Sequence, residues 1–265
     1  MKKIFYLFLI PILWGGCDKE AAPLPEPSPV GGTISVRSQE ELSNGPQSAS
    51  AMRSDAFTRA AGDAAATYTF EAWTRDADPR CVLHKTVTGT LTEAAFEIAL
   101  IPGNYDFLFW ADYGKGAYTT DNLRQVSLAR TPYTPGSDRD AFACALENVR
   151  WNGGSGVGAT LKRPLAGLTM RNATPFTDAR TVSVEYRGVP TRYDVLTGTA
   201  SDPQTVTLAF PNTTAGSSTV GEDFLFVLPD MQHIALSMTV GGVQKELGAL
   251  RLEPNYQTNV TAVFE

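Results

Sequence analysis

Polar and apolar positions alternate with a period of two through most of this chain. Tyr68, Phe70 and Ala72 are separated by Thr69 and Glu71, and Phe96, Ile98 and Leu100 by Glu97 and Ala99. The same alternation runs through Val182, Val184 and Tyr186, and through Val206, Leu208 and Phe210. It recurs in Ile234, Leu236, Met238 and Val240, and again in Val260, Ala262 and Phe264. Successive side chains of a strand point to opposite faces, so each stretch predicts a strand with one buried and one wetted face. Pro102-Gly103-Asn104, Pro211-Asn212, Gly241-Gly242 and Pro254-Asn255 divide the strands with turn chemistry. Two stretches break the alternation. Residues 105–110 (YDFLFW) and 224–228 (FLFVL) are nearly continuous apolar runs. They predict strands covered on both faces, each at the centre of its own sandwich. No long stretch carries a helical period; residues 38–44 and 52–66 have room for a short helical turn at most. Residues 33–36 read as a first strand, the remainder to Ala66 as an exposed loop, and the glycine cluster at 153–158 as a flexible hairpin or loop. The expected fold class is all-β: two tandem β-sandwiches, residues 33–160 and 161–265.

The start of the chain changes the picture from a plain β protein to an exported one. Lys2 and Lys3 precede an apolar run at residues 4–14, then Gly15-Gly16 and Cys17. That order of charge, short apolar core and small residues is a signal peptide's, and the run is too short to span a membrane, which takes ~20 residues. A cysteine directly after the small pair resembles a lipobox, in which cleavage precedes Cys17 and its thiol is diacylated. The expectation is a signal over residues 1–16 and a lipid anchor on Cys17 in an outer membrane. A tether over residues 17–32 follows, whose prolines at 23, 25, 27 and 29 favour extended polyproline II.

The net charge of −6, with no run of Lys and Arg, argues against nucleic acid as a partner. Beyond Cys17 the chain holds Cys81 and Cys144. Export makes a disulfide between them feasible, two free thiols are equally compatible, and spacing does not decide. The two histidines, His84 and His233, lack His or Cys partners at zinc spacing, so no metal or other cofactor is expected. The glycine cluster lacks phosphate-loop spacing, and Ser155 is outside a nucleophile elbow. The acidic pairs Asp76/Asp78, Asp138/Asp140 and Glu222/Asp223 sit in polar, turn-like stretches and read as solvated charges, not as carboxylates facing across a cleft. No catalytic residue emerges, and the chain reads as a non-enzyme. Trp110, Tyr113, Tyr118 and Trp151 stand near strand ends, where aromatic faces can stack on sugars, although the large area each buries favours packing in a core and hinge. They carry the alternative reading, a glycan-binding surface lipoprotein.

Four phrases together resemble the fimbrillin family of Bacteroidota type V pili. They are Ile101 through Asp112 (IPGNYDFLFWAD), Asp140-Ala141-Phe142, Leu161 through Ala166 (LKRPLA), and Pro254 through Val260 (PNYQTNV). The resemblance implies tandem transthyretin-like, Greek-key sandwiches, a surface-exposed lipoprotein and a role in pili or cell adhesion. It further implies assembly with other fimbrial subunits by strand complementation: cleavage after an arginine frees the first strand, and a neighbour's strand replaces it. Arg53 and Arg59 follow the first strand here and are the candidate cleavage sites. Only one strand's worth of chain follows Asn255-Tyr256-Gln257-Thr258-Asn259, which leads to the expectation of a tip, anchor-side or accessory subunit and not a repeating shaft subunit.

Overall fold

The structure, a computed structural model, describes residues 27–39, 43–44, 65–129, 135–228 and 232–265. Cys17, Arg53 and Arg59 lie outside the described residues. The first half comprises β1 (Val30–Ser38), β2 (Ser43–Asn44), β3 (Ala65–Thr74), β4 (Cys81–Thr90), β5 (Ala94–Leu100), β6 (Gly103–Asp112), β7 (Tyr118–Thr119) and β8 (Val126–Leu128). Then come β9 (Ala141–Trp151), β10 (Gly154–Leu161), β11 (Leu165–Asn172), β12 (Val182–Asp194) and β13 (Thr199–Phe210). The chain continues through β14 (Thr219–Phe226), β15 (Gln232–Val240), β16 (Val243–Leu252) and β17 (Tyr256–Ala262). Short 3-10 turns at Leu123–Gln125 and Ser137–Arg139 are the helical elements among the described residues.

The alternating stretches form the strands expected of them. In β5 the pattern is strict, with Phe96, Ile98 and Leu100 buried and Glu97 and Ala99 exposed. Ile234, Leu236, Met238 and Val240 of β15 are fully buried. The first sandwich faces a three-stranded sheet (β10-β1-β5) against a four-stranded one (β4-β3-β6-β9). Its core is aromatic: Phe70 packs on Phe96, Phe107 and Phe109 with ring centroids 5.1–5.4 Å apart. The second sandwich faces β14-β11-β17-β2 against a sheet in which β12 is flanked by β13 and β15, with β16 outside β15. Val260, Ala262 and Phe264 enter that second core as the alternation predicts.

Several expectations need correction. Val30–Gly32, assigned from sequence to the tether, begin β1. Ser43 and Asn44 lie in β2, paired with Tyr256 and Gln257 of β17, and not in a helical turn. The glycine cluster at 153–158 is mostly strand, because β10 pairs in parallel with β1 at Gly32, and that approach leaves no room for a Cβ. Of the two continuous apolar runs, only the first is central among the described residues: β6 sits between β3 and β9, whereas β14 is bonded there to β11 alone. β14 is nonetheless covered on both faces. Leu225 and Val227 enter the core of the second sandwich, while Phe224 and Phe226 face the first sandwich. A continuous apolar run reports two covered faces, and here a neighbouring sandwich supplies the second cover.

The halves are also more entangled than a cut at residue 160 implies. Gly188, at φ +82°, marks a bulge in β12. Before it β12 pairs with β15, and beyond it Arg192 and Tyr193 pair with Ser127 and Val126 of β8. The segment with β7 and β8 therefore extends a sheet of the second sandwich.

Candidate functional site: the junction between the sandwiches

Two arginines sit at the junction with almost no exposed surface. Arg163, in the link between β10 and β11, donates from Nε and Nη2 to Asp140 at 2.6 and 2.8 Å and from Nη1 to Oδ1 of Asn255 at 2.8 Å. Its guanidinium lies 4.8 Å from the ring centre of Phe142 and 5.8 Å from that of Phe224. Arg139, in the 3-10 turn before β9, forms an ion pair with Asp223 at 2.9 Å and lies over the Tyr118 ring. The Tyr118 hydroxyl donates to the Arg139 carbonyl, and Tyr186 donates to Asp223 at 3.2 Å. Arg139 pairs with a strand of the second sandwich, and Arg163 fastens the end of the first to the turn before β17.

Local sequence explains the placement. Pro164 stops the bridge that Lys162 makes with Ala143 and turns the chain into β11. Asn255 adopts φ +62°, a left-handed conformation that asparagine tolerates better than most residues. That turns its amide oxygen to Arg163 while its N–H donates to Leu165 at 2.8 Å. The phrases that carried the family resemblance meet here: Asp140 and Phe142, Arg163, and Asn255 are remote in sequence and in contact in space.

An apolar cluster seals the charges from water. Leu108 and Trp110 of β6 contribute from the first sandwich, Phe224, Phe226 and Tyr193 from the second. Trp110 packs edge-on to Tyr118 at 5.1 Å, and Tyr193 stacks on Phe226 at 5.6 Å. The Trp110 indole donates to Asp112 at 2.8 Å, and burial raises the Asp112 carboxyl above the usual carboxylate range despite that bond and one from the Gly114 N–H. Burial pushes the Tyr118 phenol far up as well. Beside the sealed core, Cys144, Glu147, Lys162, Tyr193 and Thr197 line an open cleft of about 420 Å³.

The sequence-derived candidates fall as follows. Trp110, Tyr113, Tyr118 and Trp151 are all buried, 9% exposed or less, so their faces serve core and junction and are not presented to a sugar. Asp76 and Asp78 are solvated, as expected. Asp140 and Asp223 are not: both are buried in ion pairs, a role their polar neighbours in sequence concealed. His84 lies on β4 with its ring nitrogen 2.9 Å from Glu71, which is buried and also accepts from the Trp73 indole and the Leu123 N–H. Among the described residues no group of three or more His, Cys, Asp or Glu is placed to hold a metal.

Cys81 and Cys144 are both free. They stand on the outer strands β4 and β9 of one sheet, three strand spacings apart, about 14 Å at ~4.8 Å each, against the ~4.4–6.8 Å between Cα atoms that a disulfide requires. Burial, and secondarily the nearby Glu71, push the Cys81 thiol up to about 11 although the residue is exposed. Alkylation of the folded protein is therefore expected to be slow at pH 7 and to accelerate about tenfold per pH unit up to pH 10, because the thiolate is the nucleophile. Rate measurement by mass spectrometry tests this; a pH-independent rate, or a linked Cys81–Cys144 peptide under non-reducing conditions, would contradict it.

A two-sandwich all-β protein whose halves are locked by a buried polar junction is the class this fold and site define. The chain belongs to the family of unknown function DUF6562, whose model matches residues 34–264. Among solved structures it is similar to a candidate polysaccharide-binding protein (DUF1812) from Bacteroides thetaiotaomicron, at TM-score 0.53 and 11% identity over 88% of this chain and 90% of that one. It is similar also to a candidate adhesin from Bacteroides ovatus, at TM-score 0.52 and 10% identity over 91% and 90%. At these identities the likeness establishes the fold, which is the one the fimbrillin resemblance implied. No curated protein matches the chain.

Proposed function

We propose that this protein is a non-catalytic component of cell adhesion or of pili at the outer surface of the cell, held at the outer membrane by a lipid on Cys17. The carrying observation is the seat of β1. It is the middle strand of its sheet, bonded on both sides by main chain, and it is joined to the rest of the sandwich through the stretch that contains Arg53 and Arg59. Cleavage after either arginine would leave β1 held by non-covalent contacts alone, so that a strand from another subunit could replace it by β-augmentation. The adhesin-like fold supports the same reading. The two sandwiches act as one body across the junction. β17 is flanked by β11 and β2 and buries Val260 and Ala262 in its own core, so β17 itself is a poor strand to lend.

The anchor is tested by Cys17→Ser. The variant is expected in the soluble fraction or as unprocessed precursor, whereas wild type sediments with the outer membrane. Processing and membrane retention of Cys17→Ser at wild-type level would refute the anchor. Assembly is tested by shearing cells and probing the released filaments: co-purification supports a pilus role, and its absence from filaments with retention on the cell favours a free-standing adhesion protein.

A further inference from the structure

β1 fills its groove under unequal constraints along its length. It runs parallel to β10 from Gly32 to Ser38 and antiparallel to β5 from Val30 to Val36. Main-chain bonds on both sides are indifferent to side chains, so any selectivity lies in what points inward. Ile34 and Val36 do, at 0% and 2% exposure, while Ser35 and Arg37 lie on the outer, wetter face. Gly32 shares the inward face, and there a side chain is refused. A Cβ on Gly32 would lie 2.0 Å from the Gly154 carbonyl oxygen and 2.6 Å from the Trp151 ring. Neither obstacle can swing aside: one is backbone, and Trp151 is fixed by its N–H bond to the Val30 carbonyl at 3.2 Å and by its edge contact with Phe107. The neighbouring Gly31 is unconstrained, since a Cβ there meets only the Ile98 carbonyl at 3.8 Å.

We infer that the groove between β5 and β10 is a binding site for an extended peptide segment with a fixed inward face: glycine, then an apolar residue at each of the next two alternate positions, as at Gly32, Ile34 and Val36. The residue before the glycine is free. The inference rests on the strand-replacement reading for the event that empties the groove, and goes beyond it by specifying the segment that can enter. A partner strand without glycine at the place of Gly32 is rejected however apolar its remaining residues are. One with glycine there and a charge two residues later is rejected too, because it would bury that charge in the Phe70–Phe96 core without a partner.

Two arms separate this code from the reading on which it rests. In the intact chain, Gly32→Val is expected to lower the melting temperature by roughly 5 °C or more and Gly31→Val by about 1 °C, as over-packing does in a fixed site. Gly32→Ala serves if the valine variant does not fold. Equal effects at the two glycines would overturn the code whether or not strands exchange. In the second arm, a site-specific protease sequence is placed between residues 45 and 64 of the full chain and cut. Labelled peptides spanning residues 27–39 are then added, and bound label is read by fluorescence polarisation. Wild-type and Gly31→Val peptides are expected to enter, and Gly32→Val and Ile34→Asp peptides to bind at least roughly 100-fold more weakly. Equal binding of all four would overturn the code and leave strand replacement standing. Exclusion of all four, with the first arm as expected, would overturn strand replacement and leave the code of the groove standing.

Discussion

Asp140→Ala is expected to destabilise the protein by about 3–5 kcal/mol, because it leaves the Arg163 guanidinium buried without its carboxylate. Arg163 and Asp140 have 3% and 8% of their side-chain surface exposed, so water cannot take over the lost bonds. At about 2–4 °C per kcal/mol for a chain of this size, the melting temperature should fall by roughly 10 °C. The informative control is the double replacement Asp140→Leu with Arg163→Met. Removing both charges removes their desolvation cost as well, so the double variant should be more stable than Asp140→Ala alone. Differential scanning calorimetry of the set decides. A loss under about 1 kcal/mol for Asp140→Ala would mean that the pair is hydrated and the junction is not sealed.

Phe107→Ala should cost a similar amount by a different route. The ring is fully buried in the middle of β6, 5.2 Å from Phe70 and 6.1 Å from Trp151. Its loss leaves a cavity among aromatic neighbours that are held by their own strands and collapse only in part, which places the cost at about 3–5 kcal/mol. Val82→Ala, at a residue 49% exposed on the outer strand β4, should change stability by no more than about 0.5 kcal/mol and serves as the reference. Because Trp151 bonds the Val30 carbonyl and leans on Phe107, the Phe107 variant should also loosen β1. Faster amide exchange over Val30–Ser38 than elsewhere in the same sheet would show it. Uniform exchange would show that β1 is held independently of Trp151.

The contacts that cross the junction decide how the halves unfold. An ion pair at Arg139, the Asp140–Arg163–Asn255 tie, an aromatic cluster and the β8–β12 pairing all cross between the sandwiches. They would have to break together for the halves to separate. One cooperative unfolding transition is therefore expected, not two.

The alternating strands, their buried faces and the all-β class were determined by the sequence itself, because a period of two is a local property written in neighbouring residues. Phe96, Ile98 and Leu100 needed no partner to be recognised as one face of a strand. The phrases around Asp140, Arg163 and Asn255 were visible as phrases, and Asn255 was legible as a turn. What they do together was not. Asp140 bonds Arg163 across 23 positions and Arg163 bonds Asn255 across 92, and nothing local distinguishes an aspartate that will be solvated, such as Asp76, from one that will be covered. Only the packing of two sandwiches decides that. The same reason explains β14, whose apolar run promised a central strand and instead lies, among the described residues, at a sheet edge under a neighbouring sandwich. It explains Gly32 too: its need for glycine comes from a carbonyl and an indole more than a hundred residues away, brought within van der Waals reach by the parallel pairing of β1 with β10.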